Sequence, residues 1–263
     1  DTLTGNPDYA AFIRELSEEG FEIGIHNVGS GDFTRAEIKK GLEIFKETLG
    51  DYPTIHVNHS YNKDNIYSGD KRFGFPFQAL VRRMHPDYTG FEGDNPISRH
   101  YWGDLHKRYI RYSRSLEVDR LNVLKTIKFP YSDQRVEDCC NAFYPSTFCP
   151  NQDLFARIIT AKNLSNLIKQ GGVAIIYTHF GYYHERGEID PRFVEICELL
   201  KSHAKDLWFA PVSEVLDHMA KENGGVRQIG ILARWKLELE CLLTRFKYRY
   251  RVPLDDFHYK KSI

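Results

Sequence analysis

Several signals that would settle a fold or function class quickly are missing from this chain. No apolar run approaches the ~20 residues that a membrane-spanning helix needs, so no such helix is expected. Neither sign of charge is in excess, because Lys+Arg and Asp+Glu both number 36; nothing therefore points to nucleic acid as a partner. Cysteines are few and odd in number (Cys139, Cys140, Cys149, Cys197, Cys241) and show no CxxC spacing. That pattern argues against a disulfide scaffold and tilts localisation toward a reducing compartment such as the cytoplasm. No internal repeat or low-complexity segment is present. An initiator methionine is absent too: the chain begins at Asp1, which leaves room upstream for an export signal or a first strand.

What is there suffices for a large core. Hydrophobic residues make up 41% of the 263 positions and aromatics 14%, which excludes wholesale disorder, and this length suits one large α/β domain. The spacing predicts a helix from Asn6 to Gly20, with Asn6 as cap, Pro7 in the first turn, and Phe12, Ile13 and Leu16 on one face. FEIGIH (21–26) reads as a strand. A helix follows from Thr34, where Thr34 and Glu37 form a capping-box pattern and Ile38, Leu42, Phe45 and Leu49 a buried stripe. TIHVNHS (54–60) is the next strand. This alternation marks a parallel α/β fold.

From about Asn62 to Pro150 the pattern is less regular, with β-like pieces at 109–118 and 124–131. Order returns with a helix over 151–170 (Phe155, Ile158, Ile159 and Leu167 inward), a strand over 173–180 (VAIIYTHF), and a helix from Asp190-Pro191. LWFAPVSEVLDHM adds a last strand and helix. The expectation is one domain over 1–224 and a basic amphipathic helix and tail over 225–263. In that tail Leu232, Trp235, Leu239, Leu242 and Phe246 share a helical face. Residues 227–251 carry seven basic side chains (Arg227, Arg234, Lys236, Arg245, Lys247, Arg249, Arg251) against two acidic ones (Glu238, Glu240). Such a helix packs on its domain with a solvated basic face, or meets an anionic membrane or a protein partner; the first reading is favoured.

Chemistry in parallel α/β folds gathers where strands end, and three predicted strands end in histidine. FEIGIH delivers His26 into a glycine-rich turn. TIHVNHS carries His56, on the same face as Asn58, and His59 just past its end. VAIIYTHF is apolar until His179. A single histidine there is unremarkable, since a loop imidazole often just bonds backbone; three converging on one mouth would make a metal and acid/base centre. His85, His100, His106, His184, His203, His218 and His258 read as surface or loop residues.

GFEIGIHNVGS resembles the second motif of the polysaccharide deacetylase superfamily (NodB homology domains, carbohydrate esterase family 4), a GHEIGxH stretch followed four residues later by His or Ser. His26 and Ser30 fill those places, with Phe21 where the first histidine usually stands. GGVAIIYTHFG is similar to that family's late strand, which ends in a catalytic histidine, here His179, and LWFAPVSEVLDHM to its closing strand and helix. HVNHSYNKDNIYSG, YWGDL and YTHFGYY look closest to uncharacterised deacetylase-like proteins of surface-polysaccharide biosynthesis. The resemblance implies a distorted (β/α) barrel of about seven strands, here lacking its first strand, and a divalent metal, most often zinc. It also implies removal of an acetyl group from an N-acetylated sugar, with His179 as general acid.

The family's aspartate pair, which precedes the GHEIG stretch by several dozen residues, has no counterpart here, so a truncated start or a degenerate relative is expected. The arginine-proline third motif is replaced by HVNHSYN, so His56 or His59 would join His26 and Ser30 at the metal. Trp102, Tyr61 and Tyr182 are candidates to stack on sugar faces, and Asn58, Asn62, Asp94 and Asp104 to bond hydroxyls; the bland reading of such aromatics is core. Two rivals stand beside the deacetylase: a non-catalytic carbohydrate-binding relative, and another metallohydrolase cleaving a different ester or amide.

Overall fold

Local sequence rules account for the first helices. In the computed structural model, which describes residues 3–59, 61–185 and 187–248, α1 spans Pro7–Glu18 and α2 spans Arg35–Leu49. The Asn6 side chain accepts the amides of Asp8 and Tyr9 at 3.0 and 3.2 Å, satisfying N–H groups the first turn cannot. At the start of α2, Glu37 Oε2 accepts from both the amide and the hydroxyl of Thr34, and Gly50 closes the helix at a left-handed φ of 90°. Ile38, Leu42 and Phe45 are buried as the period demands; α1, in contrast, leaves Phe12 exposed and buries only Ala10.

The chain packs into two units. The first comprises Asp1–Ser115, Phe129–Tyr144 and Pro211–Arg234; the second comprises Leu116–Lys128, Pro145–Ala210 and Trp235–Ile263. The fold is mixed α/β with a mostly parallel sheet that hydrogen bonds do not close into a ring.

In the first unit β1 (Ile55–His56) pairs in parallel with β2 (Tyr112–Val118), with Ile55 opposite Tyr112. β3 (Tyr131–Ser132) runs antiparallel to β4 (Ala142–Phe148) and parallel to β8 (Arg227–Gln228). FEIGIH does not form a strand of its own. Ile25 alone bridges to β1, its amide donating to Ile55 O and its carbonyl accepting from Val57 N–H, and His26 makes only an isolated bridge to Val28. Gly24 explains the close approach: a Cβ there would sit 3.0 Å from Ile55 O. Helices α3 (Phe77–Met84), α4 (Gly103–Tyr109) and α8 (Val212–Glu222) also belong to this unit. Glu22 accepts the Ser213 amide at the start of α8 at 3.0 Å, a carboxylate at the positive end of a helix.

In the second unit β5 (Ile176–Tyr177) pairs in parallel with β4 at Thr147 and Phe148, much shorter than the predicted strand. The helix predicted over 151–170 is two, α5 (Gln152–Ile158) and α6 (Ala161–Lys169), because Thr160 starts a new helix by accepting the Asn163 amide. Together with α7 (Pro191–Ser202) they bury Leu154, Phe155, Ile158, Leu164 and Ile196 in one core. Residues 184–185 and 188–189 form a small antiparallel pair, β6 and β7.

The last helix, α9 (Ile231–Tyr248), is turned opposite to expectation. Leu232, Trp235, Leu239 and Phe246 are exposed, whereas Leu237, Glu238, Cys241, Thr244 and Tyr248 are buried. Its basic side chains are engaged while Lys236 and Lys247 stay exposed: Lys236 Nζ donates to Lys125 O, and Arg245 and Lys247 pair with Glu117 and Asp119. Arg249 and Arg251 lie outside the described residues. No helix among the described residues is long and apolar enough to cross a membrane.

Candidate functional site

Two loops of the first unit carry the histidines. One, residues 26–33, follows the extended stretch that ends at Ile25; the other, 57–66, follows β1. Because Ile25 is in register with His56, the two loops leave the sheet side by side. His26 Nδ1 lies 3.0 Å from Val57 O. A carbonyl only accepts, so Nδ1 carries the hydrogen and the neutral ring presents its lone pair at Nε2.

The loops are sewn together by carboxamides. Asn62 donates to Gly29 O at 2.8 Å and accepts the Gly31 amide at 3.1 Å, which fixes which end of its amide is oxygen. His59 Nδ1, 3.3 Å from that oxygen, is therefore the donor, and His59 too presents its lone pair at Nε2. The rings of exposed His26 and half-buried His59 stand 4.5 Å apart between centroids, tilted by 52°. Two imidazoles with the same tautomer thus meet at the surface.

Beneath them is a buried polar network. Asn27, at a left-handed φ of 51°, donates through Nδ2 to Asp64 Oδ2 at 2.6 Å and Asn65 Oδ1 at 2.9 Å. Its Oδ1 lies 3.2 Å from the His59 amide and 3.1 Å from His56 Nε2, so His56 donates there. Asp64 also accepts the Phe33 amide, and its own carbonyl accepts Trp102 Nε1–H at 2.7 Å. Burial raises the Asp64 pKa, against the Phe33 and Asn27 donors that favour the carboxylate. Gly93 is required beside it, since a Cβ there would lie 2.1 Å from Asp64 O.

His56 does not open onto a site. It is 1% exposed, with Nε2 on Asn27 and Nδ1 3.1 Å from His106 Nε2, so it has no lone pair facing solvent to offer an ion. His106, expected at the surface, is equally buried: it donates from Nδ1 to Cys139 O at 2.7 Å and lies 2.9 Å from the Ser113 hydroxyl. His100 is buried too and donates to Phe33 O at 2.7 Å. His258 lies outside the described residues.

The other predicted residues divide clearly. Trp102 is 1% exposed and edge-on to His56 and His106, so it is core and offers no sugar-stacking face. Asn58 clasps its own loop, bonding both the amide and the carbonyl of Ile66. Asp94 is held by Lys71 at 2.6 Å and accepts the Tyr67 amide. Asp104 forms a two-pronged pair with Arg35, whose hydrogen bonds hold its carboxyl below the usual range. Ser30 and Tyr61 are exposed, the latter edge-on to Tyr88. His179 and Tyr182 belong to the second unit, where His179 Nδ1 lies 3.2 Å from Pro150 O and its ring is edge-on to Tyr177 and Tyr182.

Sequence reasoning passed over Asn27, Asp64, Asn65, His106 and Ser113. The signals for the first three were the dipeptide His26-Asn27 and the run NKDN (62–65); nothing marks the others. Among the described residues no group of three His, Cys, Asp or Glu is placed to hold a metal ion. Two imidazoles, His26 and His59, are short of the three protein ligands a catalytic zinc takes.

The site thus belongs to a mixed α/β fold with paired surface imidazoles over a carboxamide-carboxylate base. The chain matches no protein-family model, no curated protein and no solved structure.

Proposed function

We propose that the chain is a deacetylase-like hydrolase removing an acetyl group from an N-acetylated sugar, with His26 and His59 as its reacting pair. The observation that supports this is their juxtaposition, 4.5 Å between rings, with each Nδ1–H committed to an oxygen, which in the neutral ring leaves the lone pair on Nε2. The sequence resemblance supplies the substrate class. It also supplies the finer fold, a distorted (β/α) barrel of about seven strands into which the observed sheet would extend.

One imidazole takes a proton at Nε2 from water as its oxygen attacks the acetyl carbonyl. The second, whose Nε2 likewise carries a lone pair, can accept the water's other hydrogen and so hold the water for attack. When the C–N bond breaks, the first imidazolium returns the proton to the amine nitrogen, leaving acetate and a free amino sugar; positioned acid-base catalysis of this kind contributes roughly 10²- to 10⁴-fold. A divalent metal, zinc first, would polarise the carbonyl and lower the pKa of a bound water; it would have to be held by groups other than the imidazole that takes the proton, whose single lone pair serves one role or the other.

Acetate release from a panel of N-acetylated mono- and oligosaccharides, with and without added zinc, tests this reading. Release that falls at least tenfold in both His26→Ala and His59→Ala supports it. Absence of release in every case, with sugar binding retained, would leave the carbohydrate-binding relative as the reading. Release from other acyl esters or amides alone would favour the different metallohydrolase.

A further inference from the structure

We propose that Asn27 is the positioning residue of the site, holding His26 and His59 at reacting distance through one buried carboxamide. This role rests on the hydrolytic reading of the pair. Asn27 is 6% exposed and is the immediate neighbour of His26 in the chain. Its Oδ1 accepts the backbone amide of His59 itself. The remaining partners set its orientation: Asp64 Oδ2 can only accept from Nδ2, and the His59 amide can only donate to Oδ1. The carboxamide therefore has one orientation, and with it one place for each loop.

The backbone points the same way. Asn27 adopts a φ of 51°, a left-handed conformation that asparagine tolerates and most side chains avoid. That turn carries the chain from the extended stretch ending at Ile25 into the loop, so that His26 projects outward while the next side chain projects inward. A leucine or serine here would lose either the turn or the hub. Asn65 reinforces the arrangement from the opposite side, its Oδ1 also accepting the His59 amide at 3.1 Å and its Nδ2 donating to His59 O at 3.2 Å.

Asn27→Gly deletes the carboxamide while keeping the left-handed turn, which glycine adopts at no steric cost. The first measurement needs no turnover: nuclear Overhauser contacts between the ring protons of His26 and His59, with a thermal melt as control for folding. Wild type should show the contacts, and N27G should lose them while retaining a cooperative melt. The second is acetate release, where N27G should lower kcat roughly 10- to 100-fold with KM within about twofold, as expected for misplaced reacting groups.

The exchange N27D/D64N provides rescue. A carboxylate at position 27 still accepts from the His59 amide and His56, and a carboxamide at position 64 donates to it and accepts the Phe33 amide. Its contact with Asn65 Oδ1 becomes repulsive, so partial recovery of the ring contacts relative to N27D alone is the expected result. Ring contacts that persist in N27G overturn the proposal. Loss of the cooperative melt in both N27G and the exchange variant overturns it too, because Asn27 would then hold the fold rather than the pair. Inactive wild type with intact, Asn27-dependent ring contacts would sink the hydrolytic reading and leave the positioning result standing.

Discussion

His56 Nδ1 and His106 Nε2 face each other at 3.1 Å with no hydrogen of their own between them. Asn27 Oδ1 fixes the hydrogen of His56 on Nε2, and Cys139 O fixes that of His106 on Nδ1. The neutral pair therefore opposes two lone pairs, and the Ser113 hydroxyl, 2.9 Å from His106 Nε2, supplies the one donor at the junction. Burial lowers both pKa values, that of His56 well below 6.5 and that of His106 to about 4; the Cys139 carbonyl partly offsets the latter.

Stability should consequently fall as the medium is acidified. Each folded-state pKa lies below the unfolded value, so the native state binds fewer protons between them; the stabilisation is full above about 6.5 and is lost as pH falls toward 4 and below. A drop from 6.5 to about 4 at His106 alone corresponds to roughly 3 kcal/mol. Urea midpoints at pH 7.5, 6, 5 and 4 measure this, and His106→Gln should flatten the curve. A flat wild-type profile over that range would contradict the neutral pair.

Removing the junction hydroxyl should reverse the balance. In Ser113→Ala the opposed lone pairs keep no donor, at a cost of about 1–3 kcal/mol at neutral pH. The pair should then accept a proton more readily, so that the ring resonances of His56 and His106 titrate at higher pH than in wild type. Imidazole nitrogen NMR across the pH range reads both effects.

The Asp133 carboxylate is a second buried hub of the first unit. It is 3% exposed and accepts from the Tyr67 hydroxyl at 2.6 Å, Arg135 at 2.7 Å and Arg234 at 3.0 Å. Burial works to raise its pKa, but Arg135 and Tyr67 hold it below the carboxylate range. Asp133→Ala would leave two guanidinium groups facing a low-dielectric gap, and a loss of about 3–5 kcal/mol is expected. Chemical denaturation tests it; a change under 1 kcal/mol would mean the arginines simply swing into water.

Substitutions along α9 test which of its faces packs. Leu243→Gln and Phe246→Ser fall on exposed positions and should change stability by no more than about 0.5 kcal/mol. Leu237→Ala, at a 1% exposed position, should cost roughly 2–5 kcal/mol. The order reverses if the face named by periodicity alone is the buried one.

That helix shows where sequence reading stops. Leu232, Trp235, Leu239 and Phe246 recur at helical spacing, and spacing predicts one shared face; it does not say which of two apolar faces the protein covers. Leu237, Cys241 and Tyr248 form the other, and Lys236, Arg245 and Lys247 find oxygen partners on 117–125. The same limit applies to FEIGIH, whose alternation suits a strand although only Ile25 bridges to β1.

The sequence by itself determined the helix starts at Asn6, Thr34 and Asp190, because a cap bonds backbone two or three residues away and needs nothing distant. It also placed His26 and His59 at the ends of adjacent extended segments. Only the tertiary structure decided that His56 turns inward to a buried His106 fifty residues on, that Trp102 is core, and that Asn27 ties the two loops. Those outcomes hang on which donors and acceptors meet once water is excluded, and that matching is a property of the packed chain rather than of any short stretch of it.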